Sequence, residues 1–359
     1  MKKLIILGWV ATIGILSLLS YTQVDLNLTL LNWKPYLDFQ TNLTQLGYFN
    51  RPLNGILFTL LFTALIGGYL ALVKSAHAGW VSLSELKKLA LVTSMVLLFS
   101  YSVFSHDIFN YIFDARIVTL YQQNPYQHKA LDYPSDEWIR FMQWTHRTYP
   151  YGPSWLAITI IPSILGFAKL LPTYLLFKSL FAISYLVMLH YFIRIMEWKK
   201  TKHSVVVVAY ALLAFNPLVL IDGLVSSRID IVMAATAFIG IYYHLKKSPL
   251  SYLWLFISAG TKFATLGFLP VFFLGFNKLK EARFFLALLL IAFISVPAQA
   301  LLRELQPWYL MLPSVLLPFM YPHWRLKKII IIALLMLLPM SAYLYLIYTG
   351  ISLGALWFL

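Results

Sequence analysis

The sequence contains no cysteine and little charge: of its 359 residues, 11% are Asp, Glu, Lys or Arg, and only 13 are acidic. The absence of cysteine excludes disulfide bonds and thiolate metal sites. A soluble domain carries about 25% charged residues, so the low charge excludes a water-soluble globule. Hydrophobic residues make up 60% of the chain, and its mean hydropathy is +0.76. These values predict an integral membrane protein.

Long apolar runs predict an all-α polytopic membrane protein, since roughly 20 apolar residues form a helix that crosses a bilayer. About nine full spans are expected, at Leu4–Ser20, Leu53–Val73, Leu89–Ser105, Tyr174–Phe192, Ser204–Ile221, Ile229–His244, Phe284–Leu302, Trp308–Tyr321 and Ile329–Tyr348. Ser154–Leu171 is interpreted as lying in the outer leaflet. Leu250–Phe276 is too short for two crossings and is interpreted as a re-entrant, broken helix pair with its apex near Thr261-Lys262. Residues 1–359 then form a single transmembrane domain.

The basic residues predict the orientation of this domain. The formal net charge is +15, and a basic excess in a soluble protein would suggest nucleic acid as a partner. With the spans above, six short segments fall on one side, at residues 1–3, 74–88, 194–203, 246–247, 278–283 and 323–328. They contain 17 of the 28 Lys and Arg residues but three of the 13 acids. By the positive-inside rule these segments and the N-terminus are cytoplasmic, so the charge reports topology and not nucleic-acid binding.

Most acids lie on the other side, and the long external segment 105–153 carries the densest chemistry. At 3.6 residues per turn, Asp107, Tyr111 and Asp114 share one face of an expected interfacial helix. The opposite face is expected to meet lipid through Phe109, Ile112, Phe113 and Ile117. On spacing alone, a structural role is also open, with Asp107 at a helix boundary and Asp114 paired with Arg116 or solvent.

An ordered set of motifs follows along the chain. Asp107-x-x-x-Tyr111-x-x-Asp114-x-Arg116 precedes Asn124-Pro125-Tyr126, Tyr151-Gly152-Pro153, Asn216-Pro217, Ser227-Arg228-Ile229-Asp230, Lys262 with Leu269-Pro270, and Gln306-Pro307-Trp308-Tyr309. Over roughly residues 90–320 this order resembles the polyprenyl-phosphate-sugar-dependent mannosyltransferases of the GT-C superfamily. Two positions depart from that pattern. His106-Asp107 stands where many relatives have two acids, and Arg228 replaces a neutral polar residue.

The resemblance implies an inverting glycosyltransferase with a GT-C-like helical bundle and a catalytic loop at 105–153. Asp107 is expected to act as general base on the acceptor hydroxyl. Cations must stabilise the leaving phosphate; the candidates are Lys262, Arg228, Arg116 and Arg303. Substrate contacts are expected from His106, Tyr111, Asp114, Asn124, Tyr126, Tyr151, Asp230, Trp308 and Tyr309.

Structural explanations remain open for several of these residues. Lys262 can extend its ammonium to the interface, and Arg228 with Asp230 and Asp222 can form an external ion pair of little energetic value. The aromatic residues can form an ordinary interfacial belt. No His, Asp and Glu cluster has ligand spacing, so no metal site is assigned and no cofactor is certain, although a divalent metal remains open.

The expected partners are a polyprenyl-phosphate-linked sugar donor, a glycan, glycolipid or protein acceptor, and the lipid bilayer, without nucleic acid. The sugar is most consistent with a hexose, mannose by resemblance. The predicted location is the plasma membrane, with the active site on the extracytoplasmic face. The alternative is a lipid-linked sugar transporter or flippase. Such a protein usually shows repeated halves with matching broken helices, and only one broken segment is visible in the sequence.

Overall fold

The protein is a bundle of α-helices. The structure, a computed structural model, describes residues 1–24, 28–274, 281–302 and 306–349, and this part of the chain contains no β-strand. The first seven helices are α1 (Lys2–Leu19), α2 (Lys34–Leu46), α3 (Arg51–His77), α4 (Leu83–Leu98), α5 (Asp107–Thr119), α6 (Pro153–Leu165) and α7 (Leu170–Trp198). The remaining helices are α8 (His203–Ala214), α9 (Asp230–Leu245), α10 (Leu250–Ala259), α11 (Leu269–Leu274), α12 (Glu281–Leu302), α13 (Met311–Leu316) and α14 (Leu326–Thr349).

Five helices are long and apolar enough to cross a membrane. They are α1 with the turn that follows it, α3, α7, α12 and α14. A sixth span is possible if α8 and the π-helical segment Val219–Val225 are counted together, although they meet at an angle of 55°. These features support a polytopic helical membrane protein.

The expected count of about nine full spans is not supported. Two of the predicted spans, Leu89–Ser105 and Ile229–His244, fall on helices of 16 residues, which are too short to cross a bilayer. The third, Trp308–Tyr321, is a short helix between two 3₁₀ turns. The physical reasons are local: Pro313 and Pro318 interrupt Trp308–Tyr321, α4 ends at Leu98 before Ser100 and Ser102, and α9 is continuous but has only 16 residues. The described residues contain five helices long enough to cross, or six spans with the bent pair.

Two segments of the bundle are broken helices. α8 ends at Ala214, where Asn216 Oδ1 accepts a hydrogen bond of 2.9 Å from the backbone N–H of Leu218. Proline at 217 cannot donate to the helix ladder, so the chain turns there before the π-helical segment. The second break lies between α10 and a 3₁₀ turn at Phe263–Phe268, at the predicted position of Thr261-Lys262.

Helix α5 begins at Asp107, as the sequence predicts, but its environment differs from the prediction. Phe109, Ile112, Phe113 and Ile117 are all buried within the protein and do not face lipid. Since α5 packs against α6 and α7, and the 3₁₀ turn Glu137–Phe141 of the external loop covers another side, its apolar residues are enclosed by protein.

Contacts between the predicted cytoplasmic segments place them at one end of the bundle. Lys2 Nζ lies 2.5 Å from Glu85 Oε1, which joins the starts of α1 and α4. Arg194 donates to the hydroxyl of Tyr242 at 3.0 Å, and this joins the end of α7 to the end of α9. Glu85 lies in the first turn of α4 and Asp107 follows the last turn of that helix, so Asp107 belongs to the other end.

Candidate active site

Five charged residues from four separate segments meet at that other end. We call Asp107, Asp222, Arg228, Asp230 and Lys262 the charged cluster. Arg228 Nη1 donates to Asp107 Oδ2 at 2.9 Å, and its Nε lies 3.1 Å from Asp222 Oδ1. Lys262 Nζ donates to Asp230 Oδ1 at 2.6 Å. The cluster therefore brings two cations and three acids into one site.

The local fold explains these positions. Asp107 is the first residue of α5 and Asp230 the first of α9, where a carboxylate is favoured by the helix dipole. Arg228 lies in the turn between the π-helical segment and α9, directly after Ser227, whose φ of 57° is in the left-handed region. Lys262 lies in the break that follows α10.

Burial distinguishes the members of the charged cluster. The side chain of Asp222 is fully buried, and those of Arg228 and Asp230 are 7% and 5% exposed. Asp107 and Lys262 retain 17% and 20% exposure. The two residues most accessible to a substrate are therefore one carboxylate and one cation, which is the pair that base catalysis and phosphate binding require.

Two consecutive aromatic residues close one side of the cluster. The guanidinium carbon of Arg228 lies 3.4 Å from the ring centroid of Trp308, and Lys262 Nζ lies 5.2 Å from that of Tyr309. Such cation–π contacts hold the two cations in place. The fold thus brings together six residues that were predicted from four motifs: Asp107, Arg228, Asp230, Lys262, Trp308 and Tyr309.

The Tyr151-Gly152-Pro153 motif reaches the same site through backbone packing. The backbone N–H of Ser154 donates to the carbonyl oxygen of Gly260 at 3.0 Å. A Cβ atom at Gly152 would overlap that same carbonyl oxygen, so glycine is required there. This contact fixes the start of α6 against the end of α10, two residues before Lys262.

The other predicted substrate residues surround the start of α5 and the loop. His106 precedes Asp107, and its ring lies 6.1 Å from that of Phe109. Tyr111 packs edge-on against Tyr151 with ring centroids 5.2 Å apart. Asp114, two turns beyond Asp107, is buried.

The Asn124-Pro125-Tyr126 motif forms a turn at the surface of the loop. Asn124 Oδ1 accepts a hydrogen bond of 3.0 Å from the backbone N–H of Tyr126, and the Tyr126 hydroxyl donates to the carbonyl of Tyr151 at 3.1 Å. These contacts position Tyr151.

Arg116 lies apart from the charged cluster. Its Nε donates to Asp136 Oδ2 at 2.6 Å, and its guanidinium stacks on Trp138. It is nine residues beyond Asp107, or about 13 Å along α5. Arg303, the fourth candidate for the phosphate, lies outside the described residues.

Asp222 and Lys178 were not among the predicted site residues. Lys178, buried in α7, donates to the carbonyl oxygens of Leu224 at 2.6 Å and Val225 at 3.3 Å, and to Ser100 Oγ at 3.2 Å. It thereby holds the end of the π-helical segment that presents Arg228. The sequence could have indicated Lys178, because it lies within an apolar run, which is the feature that identified Lys262.

The sequence model of one family, described as the alpha-(1->6)-mannopyranosyltransferase N-terminal domain of the MptA_B family, matches residues 13–278. The chain belongs to this family. This match covers well over half of the chain and contains all five residues of the charged cluster. Comparisons with curated proteins and with solved structures gave no match. The predicted relationship to membrane mannosyltransferases is confirmed.

In this mannosyltransferase, the charged cluster is the place where predicted acids and cations contact one another. Among the described residues, no group of three His, Cys, Asp or Glu side chains is arranged to hold a metal ion. The charges available to a phosphate group in the cluster are those of Arg228 and Lys262.

Proposed function

We propose that the chain transfers a mannosyl residue from a polyprenyl-phosphate-mannose donor to an acceptor hydroxyl at the extracytoplasmic face of the membrane, with inversion at the anomeric carbon. The family supplies the sugar, and its description favours an α-(1→6) linkage. The observation that carries the mechanism is the contact between Asp107, a partly exposed carboxylate, and Arg228, with Lys262 in the same cluster.

In the proposed reaction, an Asp107 carboxylate oxygen accepts the proton of the acceptor hydroxyl. The hydroxyl oxygen forms a bond to the anomeric carbon of the donor, and the bond from that carbon to the phosphate oxygen breaks. Polyprenyl phosphate leaves with the electron pair, and its negative charge is stabilised by Arg228 and Lys262.

The charged cluster implies an order for these events. Arg228 Nη1 donates to Asp107 Oδ2 in the structure, so this carboxylate oxygen is already engaged. A donor phosphate that takes over the guanidinium leaves Asp107 without its cationic partner. Donor binding thereby prepares the base, so that the acceptor is activated only when a donor is present.

An apolar cavity of about 150 Å³ offers a place for part of the prenyl chain. Leu98, Phe99 and Leu171 are among its lining residues, and so is Tyr174. The hydroxyl of Tyr174 accepts a hydrogen bond from the backbone of Ser102 at 3.1 Å, and the Ser102 hydroxyl lies 3.2 Å from that of Ser227. Since Arg228 follows Ser227, a chain bound in this cavity would have its phosphate end close to the cluster.

The experiment that tests this function measures mannose transfer by the purified protein from radiolabelled polyprenyl-phosphate-mannose to candidate glycan, glycolipid and protein acceptors. Asp107→Asn keeps the size of the side chain but removes the base, so transfer should fall roughly 100- to 10,000-fold. Asp38→Asn is the matched control because Asp38 is exposed and pairs only with Lys34 in the described structure.

Wild-type transfer in the Asp107→Asn variant would exclude Asp107 as the base. If the wild-type protein transfers no sugar from any polyprenyl-phosphate donor, the proposed function fails, and the transporter hypothesis would then be tested by uptake of lipid-linked sugar into vesicles. Repeating the assay with chelator and with added divalent cations tests the metal dependence that the sequence leaves open.

A further inference from the structure

Two polar side chains of α7 contact both irregular segments that lead into the charged cluster. The chain between α4 and α5 ends at Asp107, and the π-helical segment with its following turn ends at Arg228. We call Tyr174 and Lys178, which lie one turn apart in α7, the α7 pair. Both are buried, with exposed fractions of 2% and 1%. The α7 pair therefore lies between the two segments whose ends form the contact of the proposed base with its cation.

Lys178 joins the two segments directly. Its ammonium donates to the carbonyl oxygens of Leu224 at 2.6 Å and Val225 at 3.3 Å, and to Ser100 Oγ at 3.2 Å. The last carbonyls of a helical segment lack donors within that segment and carry partial negative charge, so a cation is favoured there. These three neutral acceptors match the three donors of the ammonium.

Tyr174 joins the same segments through Ser102. Its hydroxyl accepts a hydrogen bond of 3.1 Å from the backbone N–H of Ser102, whose own hydroxyl lies 3.2 Å from Ser227 Oγ. The φ of 57° at Ser227 is uncommon for a residue other than glycine and costs free energy. The side-chain contacts of the α7 pair and of Ser102 hold this turn in place, and Arg228 is the next residue.

A buried ammonium is a costly way to join helices. A cation within an apolar span is expensive, and a methionine of similar length would fill the space without that cost. The ammonium is accounted for by the backbone that it holds. A shift of the turn by about 1 Å would lengthen the contact of Arg228 with Asp107 from 2.9 Å to beyond hydrogen-bond distance. Misplacement on that scale costs an enzyme up to about 100-fold in rate.

We infer that Lys178 and Tyr174 are positioning residues for the transfer reaction: they hold Arg228 where it meets both Asp107 and the donor phosphate. This role rests on the proposed function and adds to it two residues that contact neither the phosphate nor the acceptor hydroxyl. Because the α7 pair acts through the segment that presents Arg228, its effect on the rate requires the guanidinium of Arg228.

A double-mutant cycle tests this role through initial rates of mannose transfer at limiting donor. Lys178→Met keeps the aliphatic stem without the ammonium, and alone it should lower the rate about 30-fold. In an Arg228→Lys background the further loss should be less than about threefold, because residues that act as a unit are not additive. Tyr174→Phe should show the same pattern with a smaller loss. Lys169→Met, at an exposed lysine immediately before α7, should keep the wild-type rate.

A loss by the same factor in both backgrounds would overturn the inferred role, since a general folding defect acts in that way. An unchanged rate in Lys178→Met would also overturn it. If Lys178→Met does not yield folded protein, the cycle of Tyr174→Phe with Arg228→Lys decides by the same criterion.

Hydrogen exchange measured by mass spectrometry gives a readout that does not depend on transfer. The backbone N–H groups of Ser226 and Arg228 donate to the carbonyls of Ile221 at 2.8 Å and Asp222 at 3.2 Å. In Lys178→Met these amides should exchange at least about tenfold faster, while those of α1 are unchanged. If the wild-type protein transfers no mannose, the proposed function has failed, and faster exchange at these amides still supports positioning of the turn by Lys178. Unchanged exchange contradicts it.

Discussion

At the residue scale, the arrangement around Arg228 determines what the site can do. Its guanidinium contacts Asp107, faces Asp222 and stacks on Trp308. A planar group with donors on several edges can make these contacts at once, and a lysine ammonium cannot. Because the cluster contains more acids than cations, a phosphate must compete with carboxylates for this guanidinium. In the proposed reaction, donor binding therefore depends on Arg228, one of the two residues that depart from the motif pattern.

Arg228→Lys is expected to reduce mannose transfer by about 100-fold at limiting donor, since the charge remains but the simultaneous contacts are lost. The measurement is the initial rate at a series of donor concentrations. Arg140→Lys, at an exposed arginine of the loop, should keep the wild-type rate. If the rate of Arg228→Lys depends on donor concentration as the wild-type rate does, Arg228 does not bind the phosphate.

Asp114 gives the protein a pH-dependent stability. Burial raises its pKa to about 8 from the ordinary value of 3.8, while Arg147 has the opposite effect and Tyr149 and Tyr151 lie nearby. Between about pH 4 and pH 8 the folded protein holds a proton that the unfolded chain has released, so the free energy of unfolding falls as the pH rises. Outside that window the contribution is constant.

The corresponding experiment follows thermal unfolding in detergent from pH 5 to pH 8.5. The melting temperature of the wild-type protein should fall over this range more steeply than that of Asp114→Asn, which cannot ionise. The exposed control Asp38→Asn should retain the wild-type slope. Parallel slopes in wild type and Asp114→Asn would mean that Asp114 is ionised throughout the range.

At the element scale, the charged residues of the site lie at or beside interruptions of the helices. The bend between α8 and the π-helical segment, the turn at Ser227 and the break at Lys262 each place a charged side chain where a straight span would have continued. The sequence indicated the break at Lys262, because a lysine is conspicuous within an apolar run, but Ser204–Ile221 was predicted as one full span and the bend at Asn216-Pro217 was missed. It did not indicate the burial of α5 or the role of Lys178, since both depend on which helices become neighbours.

Gly152→Ala tests whether the contact between the start of α6 and the end of α10 positions Lys262. The new methyl group would meet the carbonyl oxygen of Gly260, so the two segments must separate. We expect transfer to fall at least tenfold while the helical content is retained by circular dichroism. Gly8→Ala in α1, where a Cβ has no neighbour within 4 Å, should leave transfer unchanged and stabilise the helix slightly. Full activity of Gly152→Ala would show that mannose transfer does not require this contact.

At the scale of the whole molecule, the basic charge predicts an orientation and the helix ends define two ends of the bundle. Lys2 contacts Glu85 between two predicted cytoplasmic segments, and Arg194 and His77 of two such segments contact Tyr242 and Tyr321, which lie a few residues before two others. Asp107 lies beyond the opposite end of α4 from Glu85. If residues 74–88 are cytoplasmic, the charged cluster belongs to the extracytoplasmic side, which is where a polyprenyl-linked donor on the outer leaflet would present its sugar.

The absence of cysteine makes this orientation directly testable, because a single introduced cysteine has no competing thiol. Cysteine at Lys200 or Lys247 should be protected from a membrane-impermeant maleimide in intact cells and labelled after permeabilisation. Cysteine at Gln143, an exposed position of the external loop, should be labelled without permeabilisation. Labelling of Lys200→Cys from outside would mean that Ser154–Leu171 and α7 form two full crossings. Labelling of Lys247→Cys from outside would mean that α9 runs through the membrane in the opposite direction. Either result would place the charged cluster on a side where an extracytoplasmic donor could not reach it, so this experiment tests the proposed location of the reaction independently of its chemistry.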